Sequence, residues 1–343
     1  MNIRIGIVGA GFGVSSHLPA LLAHPRFDVV ALASPHSAAQ IAANRAIPHA
    51  FASCAQMLDG VALDAVVVAS PPFAHRDDVL ACLAAGKHVL CEKPFTLNVA
   101  QAEELCAAAT DSPAICGVVH EFRWVAERAA IKEMIDNGHL TPLRQIEITH
   151  LDGRLSASAL RARGWWFERR RGGGIAGALL SHLIDTANWY AGRPPVHVAG
   201  LLRTANPNRR DEVGPFTSDV DDGAFALLEY GSGLVARVSV DATTAVRSLT
   251  FAAHAEGRTA IASGTDLASM RLFSVDDEET SELGCKPSTY ARFAAINDHV
   301  PLLMELYDAF LARIDGSRES NALPTFEEAL VTQRALCAVG YST

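Results

Sequence analysis

Three side chains in this sequence have the types and spacing needed for acid–base chemistry. Lys93 follows the short apolar segment 88–91, and His182 precedes Asp185 by three residues. On a helix that spacing puts the imidazole and the carboxylate on one face, where the carboxylate orients the ring and favours its charged form. Since an imidazole titrates near neutral pH, His182 is predicted to transfer a proton. Lys93 is predicted to stabilise a developing alkoxide.

Each of these side chains also has a purely structural interpretation. A lysine ahead of a helix can be a surface residue, and a histidine on an apolar helix can be a core residue with satisfied hydrogen bonds. The elements that position Lys93 and His182 must therefore be considered before either is assigned a role.

Apolar segments alternate with alanine-rich amphipathic stretches over residues 3–119, which is typical of strands alternating with helices in a parallel sheet. The predicted strands are 3–8, 28–33, a short one near 47–51, 64–69, 88–91 and 114–119. The predicted helices are 16–23, 37–44, 53–59, 73–85 and 98–109. This pattern predicts an N-terminal domain over residues 1–120 with a doubly wound parallel sheet.

The pattern changes after an amphipathic stretch at 125–137. Short turns then join most of the predicted strands, which are 143–151, 196–202, 223–230, 233–241, 248–255 and 258–262. Helices predicted at 177–191, 298–314 and 325–338 can cover one face of the resulting sheet. Residues 121–343 are therefore predicted to form an α+β domain with a large, mostly antiparallel open sheet, and the whole chain is α/β.

A glycine-rich turn follows the first predicted strand and contains Gly9, Gly11, Phe12 and Gly13. Glycines let the chain turn sharply and let backbone N–H groups approach a pyrophosphate at a helix N-terminus. Val14 occupies the usual third-glycine position, and an ordinary strand-to-helix turn is the alternative. In this strand–turn–helix context the segment predicts a dinucleotide site, which includes Phe12.

Polar and proline residues follow the fourth and fifth predicted strands. Ser70 and Pro71 come after the fourth strand with His75 one helical turn later, and Glu92 and Lys93 come after the fifth. Open α/β sheets bind ligands at the carboxyl ends of their strands, so we predict that these five residues lie beside a bound nicotinamide dinucleotide. The proline alone could simply start a helix, and Lys93-Pro94 is expected to be trans by base rate.

The second strand ends at Ser34, where an acidic residue usually selects NAD by pairing with its ribose hydroxyls. With no carboxylate to repel a 2′-phosphate, NADP is permitted and slightly preferred over NAD. No arginine stands beside Ser34 to reinforce that preference.

Further polar and aromatic residues are candidates for substrate contacts. His120 and Arg123 follow the last strand of the first domain, where they can line a cleft, and Trp165 belongs to an aromatic group that could pack over a sugar or staple a loop. The basic run 169–171 could clamp an anion or be a solvated loop. The sequence has no recognisable spacing of metal ligands, so no catalytic metal is predicted.

Composition excludes several classes of partner. The net charge of −9 disfavours binding to nucleic acid or anionic lipid, and no apolar run reaches the roughly 18 residues needed to cross a bilayer. The seven cysteines form no C-x-x-C pair and are predicted to be buried thiols in the cytoplasm.

The motifs together resemble the Gfo/Idh/MocA family of oxidoreductases, named for glucose-fructose oxidoreductase, inositol dehydrogenase and rhizopine catabolism. The resemblance covers nearly the whole chain and depends on Gly9–Gly13 with His17-Leu18-Pro19-Ala20, Ser70-Pro71-Pro72 with His75, Gly86–Pro94, His120–Trp124, and Gly172–Gly174 followed by His182 and Asp185. It implies a Rossmann domain and a second domain whose open sheet often forms an oligomer interface, so a homodimer or homotetramer is expected. In similar enzymes a lysine at the position of Lys93 hydrogen-bonds the reacting oxygen, and a histidine at the position of His182 exchanges its proton.

One departure from the family pattern concerns the catalytic set. Family members commonly carry an aspartate where this chain has Ala178, and a glycine where it has Leu180. The resemblance implies hydride transfer between NAD(P) and a secondary hydroxyl or carbonyl of a sugar, cyclitol or related polyol. Ala178 leaves open a catalytically inactive nucleotide-binding regulator, and cofactor-assisted non-redox glycoside chemistry is a further alternative.

Overall fold

The computed structural model describes residues 2–264, 269–275, 281–317 and 323–341. Its first elements are β1 (Ile3–Val8), α1 (Leu18–Ala23), β2 (Phe27–Ala33), α2 (Ala38–Arg45), β3 (His49–Phe51), α3 (Cys54–Gly60), β4 (Ala65–Val68), α4 (Pro72–Ala84), β5 (His88–Cys91), α5 (Val99–Thr110) and β6 (Cys116–Val118). Two short π-helical turns, Gly13–His17 and Ala176–Leu180, lead directly into longer helices.

The remaining elements follow in the second half of the chain. They are α6 (Ala126–Asp136), β7 (Leu143–Leu151), α7 (Ser181–Ala191), β8 (His197–Arg203), β9 (Asn208–Arg210), β10 (Pro215–Thr217), β11 (Gly223–Glu229), β12 (Val235–Asp241), β13 (Ser248–Ala255), β14 (Arg258–Gly264), β15 (Ser269–Ser274), β16 (Ser281–Gly284), α8 (His299–Ile314) and α9 (Phe326–Ala338).

The chain divides into two compact units. Unit 1 comprises Met1–Glu121 and Ser288–Leu330, and unit 2 comprises Phe122–Pro287 and Val331–Thr343. The division falls within α9, and unit 1 is built from two separate stretches of chain.

Unit 1 contains a six-stranded sheet in the order β3-β2-β1-β4-β5-β6, with all neighbouring strands parallel. The central strands are apolar throughout, as β4 (Ala65–Val68) illustrates with four buried residues, because helices cover both faces of such a sheet. The strand order reverses between β1 and β4, which is where doubly wound sheets bind ligands. The predicted parallel sheet is confirmed.

Helix α8 (His299–Ile314) packs within unit 1, where it contacts α1. Its buried side chains include Leu303, Tyr307 and Phe310. The expectation that the helix at 298–314 covers the second sheet is therefore wrong. An amphipathic pattern shows that a helix has an apolar face but not which sheet that face covers.

Unit 2 contains an eight-stranded sheet in the order β16-β15-β14-β13-β7-β12-β11-β8. Only β7 and β12 pair in parallel among its seven strand pairs in the described residues, so the predicted mostly antiparallel sheet is confirmed. Helix α7 packs on the face that carries Ile146 and Ile148 of β7. The sequence did not predict β9, β10, β15 or β16, because these short segments lack a clear alternation of apolar and polar residues.

Candidate active site

The glycine-rich turn of unit 1 leaves open space where a pyrophosphate would approach. Gly9 has a φ of +109°, and a Cβ there would lie 2.1 Å from the Ala69 carbonyl oxygen, so only glycine fits between the ends of β1 and β4. By contrast, a Cβ on Gly11 would meet no atom within 4 Å. The turn thus has one glycine required by packing and one that borders an open cradle, which suits a dinucleotide phosphate.

The π-helical turn Gly13–His17 continues the glycine-rich turn into α1. The ring of Phe12 contacts His17 edge-on at 5.5 Å between centroids and His299 at 5.0 Å. Gly13 is buried against Ile7, whose Cγ2 would lie 3.0 Å from an added Cβ. Phe12 and Gly13 therefore anchor the turn to unit 1.

Ser34 lies at the end of β2, beside the glycine-rich turn. The Gly9 N–H donates to the Ala33 carbonyl oxygen at 2.9 Å, which ties the two strand ends together. The Ser34 and Ser37 hydroxyls are 3.1 Å apart. Hydroxyl groups therefore stand at the position that would face the adenosine ribose, followed by the exposed Pro35 and His36.

His75 links the turn after β4 to the segment after β5. Its Nε2 lies 2.7 Å from the Ser70 carbonyl oxygen, and its Nδ1 lies 3.2 Å from the carbonyl oxygens of Pro94 and Phe95. Burial lowers the pKa of His75. The Ser70 hydroxyl donates to Asp78 Oδ2 at 2.7 Å. Pro71 is the N-cap residue of α4.

Glu92 is buried directly after β5 and links the π-helical turn Gly13–His17 to Lys93. Its Oε1 accepts from His17 Nε2 at 2.9 Å, and its Oε2 accepts from the Lys93 backbone N–H at 3.1 Å. A hydrogen bond of 2.6 Å joins His17 Nδ1 to the Tyr307 hydroxyl on α8. Burial alone would raise the pKa of Glu92, but the His17 hydrogen bond and the nearby positive charges hold it below its usual value.

Lys93 is half-buried, and its peptide bond to Pro94 is cis, contrary to the base-rate expectation of trans. His120 is buried after β6, and its backbone N–H donates to the Val118 carbonyl oxygen at 2.9 Å. Both residues belong to unit 1, whereas His182 belongs to unit 2. Unit 1 therefore gathers the predicted cofactor residues and the predicted lysine along one edge of its sheet.

Arg123 and Asp185 form a buried, bidentate ion pair in unit 2. Arg123 Nε donates to Asp185 Oδ2 at 2.8 Å, and Nη2 donates to Oδ1 at 2.6 Å. Their side chains are only 3% and 2% exposed. Arg123 and Asp185, both predicted to contact substrate, thus neutralise each other's charge. Their pair connects the segment before α6 with α7.

His182 lies in the first turn of α7 and is buried. The Phe122 ring stacks on its imidazole with centroids 4.1 Å apart and 25° between the planes. Thr186 donates to the His182 carbonyl oxygen at 2.9 Å and accepts from Arg128 Nη1 at 3.2 Å. The Arg128 guanidinium carbon lies 4.8 Å from the Phe122 ring centroid. A buried aromatic and cationic frame therefore orients the predicted proton-transfer residue.

The glycine triplet before α7 is held by Asp221. The Asp221 carboxylate accepts from the Ala176 N–H at 2.6 Å, and a Cβ on Gly174, whose φ is +106°, would lie 2.4 Å from Asp221 Oδ1. Burial raises the pKa of Asp221 to about 6. Trp165 begins a short 3-10 turn, and its carbonyl oxygen lies 2.9 Å from where a Cβ on Gly173 would be. Trp165 is therefore packed against the glycine triplet by its backbone.

Sequence reasoning gave no role to Phe122, Arg128, Thr186, Asp221 or Tyr307. Each acts through a partner distant in the chain, so no local spacing reports it, although buried charge on α6 is an unusual feature of Arg128. Ala178 lies in the π-helical turn, where its N–H donates to the Gly174 carbonyl oxygen at 3.2 Å.

Two features are absent from the described ranges of the chain. No group of three or more His, Cys, Asp or Glu side chains there is close enough to hold a metal ion. No described helix has the length and apolar character needed to cross a bilayer.

Two family models match this chain. One describes an oxidoreductase family with an NAD-binding Rossmann fold and matches residues 3–120. The other describes a GFO/IDH/MocA C-terminal domain and matches residues 129–261. Together the two matches cover most of the chain.

Similar proteins include an uncharacterized oxidoreductase of Synechocystis, which is 33% identical over 246 residues. That match spans 70% of this chain and 65% of the relative's own length. The 1,5-anhydro-D-fructose reductase of Ensifer adhaerens is 26% identical over 257 residues, which is 73% of each chain. The structure of levoglucosan dehydrogenase with NADH and levoglucosan has a TM-score of 0.86 at 21% identity, covering 99% of this chain and 96% of the other. The structural match shows the same fold.

Proposed function

Because this chain belongs to the Gfo/Idh/MocA family of oxidoreductases, we propose that it transfers hydride between NAD(P) and a secondary hydroxyl or carbonyl of a sugar, cyclitol or related polyol. The observation that carries the proposal is the edge of the unit 1 sheet. The glycine cradle after β1, Ser70 after β4 and Lys93 after β5 lie at neighbouring carboxyl ends of parallel strands. Relatives named for sugar chemistry support the substrate class.

The nicotinamide, when bound, supplies the hydride acceptor or donor. In the oxidation direction the substrate carbon loses a hydride and its hydroxyl loses a proton, which His182 accepts. The Lys93 amine donates a hydrogen bond to the same oxygen and stabilises its developing negative charge. In the reverse direction His182 returns the proton to the carbonyl oxygen.

A substrate panel tests these roles. Levoglucosan, 1,5-anhydro-D-fructose and a cyclitol are assayed by absorbance of the reduced nicotinamide, with wild type, Lys93→Ala, His182→Ala and the control Lys87→Ala. We expect kcat to fall about 10²- to 10⁴-fold for the first two variants and to stay near wild type for the control. Equal rates in wild type and Lys93→Ala would reject the role of the lysine.

The double variant Lys93→Ala/His182→Ala tests whether the two groups act on one atom. Groups that act as a unit show strongly non-additive losses, so the double variant is expected to be little worse than the more damaged single variant. Multiplicative losses would mean independent roles. Tight cofactor binding with no turnover of any polyol or carbonyl would instead favour a nucleotide-binding regulator.

We also propose a slight preference for NADP. The hydroxyls of Ser34 and Ser37 stand at the end of β2, and no carboxylate occupies positions 34–36 to repel a 2′-phosphate. Ser34→Asp should shift the ratio of the two cofactor Kd values toward NAD. A ratio that stays the same would contradict the assignment of Ser34.

We further propose that the chain forms a homodimer or homotetramer in the cytoplasm. On the sheet face of unit 2 opposite α7, Leu201 and Leu227 are 55% and 48% exposed and border a depression of about 450 Å³. Such an apolar patch favours self-association. Light scattering of Leu227→Glu should show a smaller assembly than wild type or the control Val213→Glu. The seven cysteines keep their thiols, which suits a reducing compartment.

A further inference from the structure

Three arginines of unit 2 lie close together around the loop that joins β7 to the glycine triplet. Arg154, Arg161 and Arg209 form this group, which we call the arginine cluster. Burial lowers the pKa of Arg161, and the positive charges of Arg154 and Arg209 lower it further, whereas the negative charge of Asp152 raises it. The backbone also holds the cluster, since the Arg161 N–H donates to the Arg210 carbonyl oxygen at 3.4 Å. Arg209 Nη1 donates to the Leu155 carbonyl oxygen at 2.5 Å.

The cluster has fewer carboxylate partners than cations. Asp152 Oδ2 accepts from both Arg154 Nε at 2.6 Å and His150 Nε2 at 2.9 Å. Asp222 is shared between Arg209, at 3.1 Å, and a further arginine outside the cluster. Among the described residues Arg161 has no carboxylate within ion-pairing distance. The negative charge of Asp152 also acts on Arg161, so this one carboxylate serves two arginines, and a bound anion would balance the excess positive charge.

One buried donor of the same region also lacks a hydrogen-bond partner within the described ranges. It is Nε of Arg209, whose side chain is 4% exposed. Native proteins rarely leave buried donors unsatisfied, and such atoms commonly mark a ligand or solvent site. The orphaned donor and the excess of arginines over carboxylates therefore indicate the same chemistry, an incoming anionic oxygen group.

The cluster adjoins the segment that leads to His182. The Arg161 guanidinium carbon lies 4.6 Å from the ring centroid of Trp166. The Trp166 carbonyl oxygen accepts from the Gly174 N–H at 3.1 Å, which attaches Trp166 to the glycine triplet Gly172–Gly174 before α7. His150 continues the buried row of Ile146 and Ile148 on the sheet face that α7 covers. His150, which shares Asp152 with Arg154 of the cluster, thus lies on the same side of the unit 2 sheet as His182.

We propose that the arginine cluster binds a carboxylate or phosphate group carried by the polyol substrate, with Arg161 as the main contact. This inference rests on the proposed function, because it narrows the substrate class of that site to acidic sugars or sugar phosphates. A guanidinium suits both groups because its planar fork donates two parallel hydrogen bonds to paired oxygens. A chain of net charge −9 repels anionic substrates overall, so recognition of one requires a local basic site.

The kinetic test uses three matched hexoses: the neutral sugar, its uronate and its 6-phosphate. For wild type we expect a higher kcat/KM for the uronate or for the 6-phosphate than for the neutral sugar, and the preferred member identifies the anion. Arg161→Gln should lower kcat/KM for that member about 10- to 100-fold, as expected for a lost charge-assisted hydrogen bond, and lower it much less for the neutral sugar. Arg161→Lys should recover part of the loss, and the exposed control Arg258→Gln should match wild type.

Calorimetric titration of the uronate and the 6-phosphate separates failure of the site from failure of the activity. If no sugar is turned over, the proposed function fails, yet weaker anion binding by Arg161→Gln than by Arg258→Gln still supports the cluster. Equal anion binding by these two variants would overturn the inference. A wild-type preference for the neutral sugar would also overturn it, as would equal losses for all three sugars in Arg161→Gln.

Discussion

The two units hold their candidate functional side chains by different means. In unit 1 the residues follow strand ends, and His75 is held there by backbone carbonyl oxygens from two neighbouring turns. In unit 2 the predicted histidine lies on α7, and that helix is joined to the rest of the unit by the buried Arg123–Asp185 pair. The first arrangement depends on the path of the backbone, and the second depends on side-chain charges from distant segments.

This contrast explains why the two regions tolerate change differently. A strand-end turn is sensitive to an added Cβ wherever backbone segments touch, as at Gly9. A helix held by a buried ion pair is sensitive to the loss of either charge, because the remaining charge is left without compensation. Four predictions test the contrast.

The largest expected effect is in unit 2. Arg123→Leu leaves the Asp185 carboxylate buried without its bidentate partner, so we expect the free energy of unfolding to fall by about 3–5 kcal/mol. The matched control is the exposed Arg26–Asp315 pair of unit 1, whose side chains are 39% and 51% exposed. Arg26→Leu should lower the free energy of unfolding by about 1 kcal/mol or less. Urea denaturation measures both, and similar losses would show that α7 does not depend on the buried pair.

The second effect separates two glycines of the same turn. Gly9→Ala places a Cβ against the Ala69 carbonyl at a positive φ, so it should lower unfolding stability by about 2–4 kcal/mol. Gly11→Ala meets open space, so its stability should change by about 0.5 kcal/mol or less. If Gly11 borders the pyrophosphate, the Gly11→Ala protein should still bind NAD(P) at least about tenfold more weakly. Unchanged NAD(P) affinity in a folded Gly11→Ala protein would contradict the assignment of Gly11 to the pyrophosphate site.

A third prediction concerns Glu92, a buried carboxylate that follows β5. Because its pKa is below the usual 4.5 in the folded protein, its ionised form adds stability above pH 4.5 that disappears as the pH falls through the folded value. Glu92→Gln should therefore lower the free energy of unfolding by about 1–3 kcal/mol at pH 7, and by progressively less in acid. Thermal unfolding across pH 3–8 measures this, and a constant difference would mean that the charge of Glu92 is unimportant.

The smallest effect in acid is expected at Asp221. Its pKa rises from 3.8 to about 6 on folding, so its contribution is complete below pH 3.8 and is lost as the pH rises through about 6. Asp221→Asn keeps an oxygen for the Ala176 N–H and removes that titration, so in acid it should change stability by about 1 kcal/mol or less. As the pH rises through about 6, the variant should gain up to about 3 kcal/mol of stability relative to wild type. Asp221→Ala, which loses the acceptor, should be less stable than Asp221→Asn throughout. The opposite pH trend would contradict this assignment.

The sequence predicted those features that depend on local pattern. The strand at 143–151 and the strands at 3–8 and 88–91 have the predicted bounds, because apolar periodicity and turn residues report them directly. It did not predict the π-helical turns before α1 and α7, or the Tyr307–His17 hydrogen bond. These depend on packing between residues far apart in the chain, which no window of sequence contains.

The sequence predicted the surroundings of only some of the site residues. The neighbourhood of Ser70, His75 and Glu92 follows from their places after adjacent strands. The pairing of Arg123 with Asp185 does not, because the two are separated by 62 residues and each also suits a ligand contact. Long-range charge pairing is therefore the feature that a structure adds to the sequence.

The order in which the chain is synthesised gives the two-part composition of unit 1 a consequence for folding. Helix α8, which contacts α1 and provides the hydroxyl that meets His17, leaves the ribosome only after nearly all of unit 2 has been made. At typical elongation rates that interval is roughly 10–40 s. During that interval the nascent N-terminal part of unit 1 exposes the apolar surface of α1, and His17 lacks its hydrogen bond to the Tyr307 hydroxyl. Protection of that surface by a chaperone, or delayed folding, is the expected consequence of completing a domain with a helix from the far end of the chain.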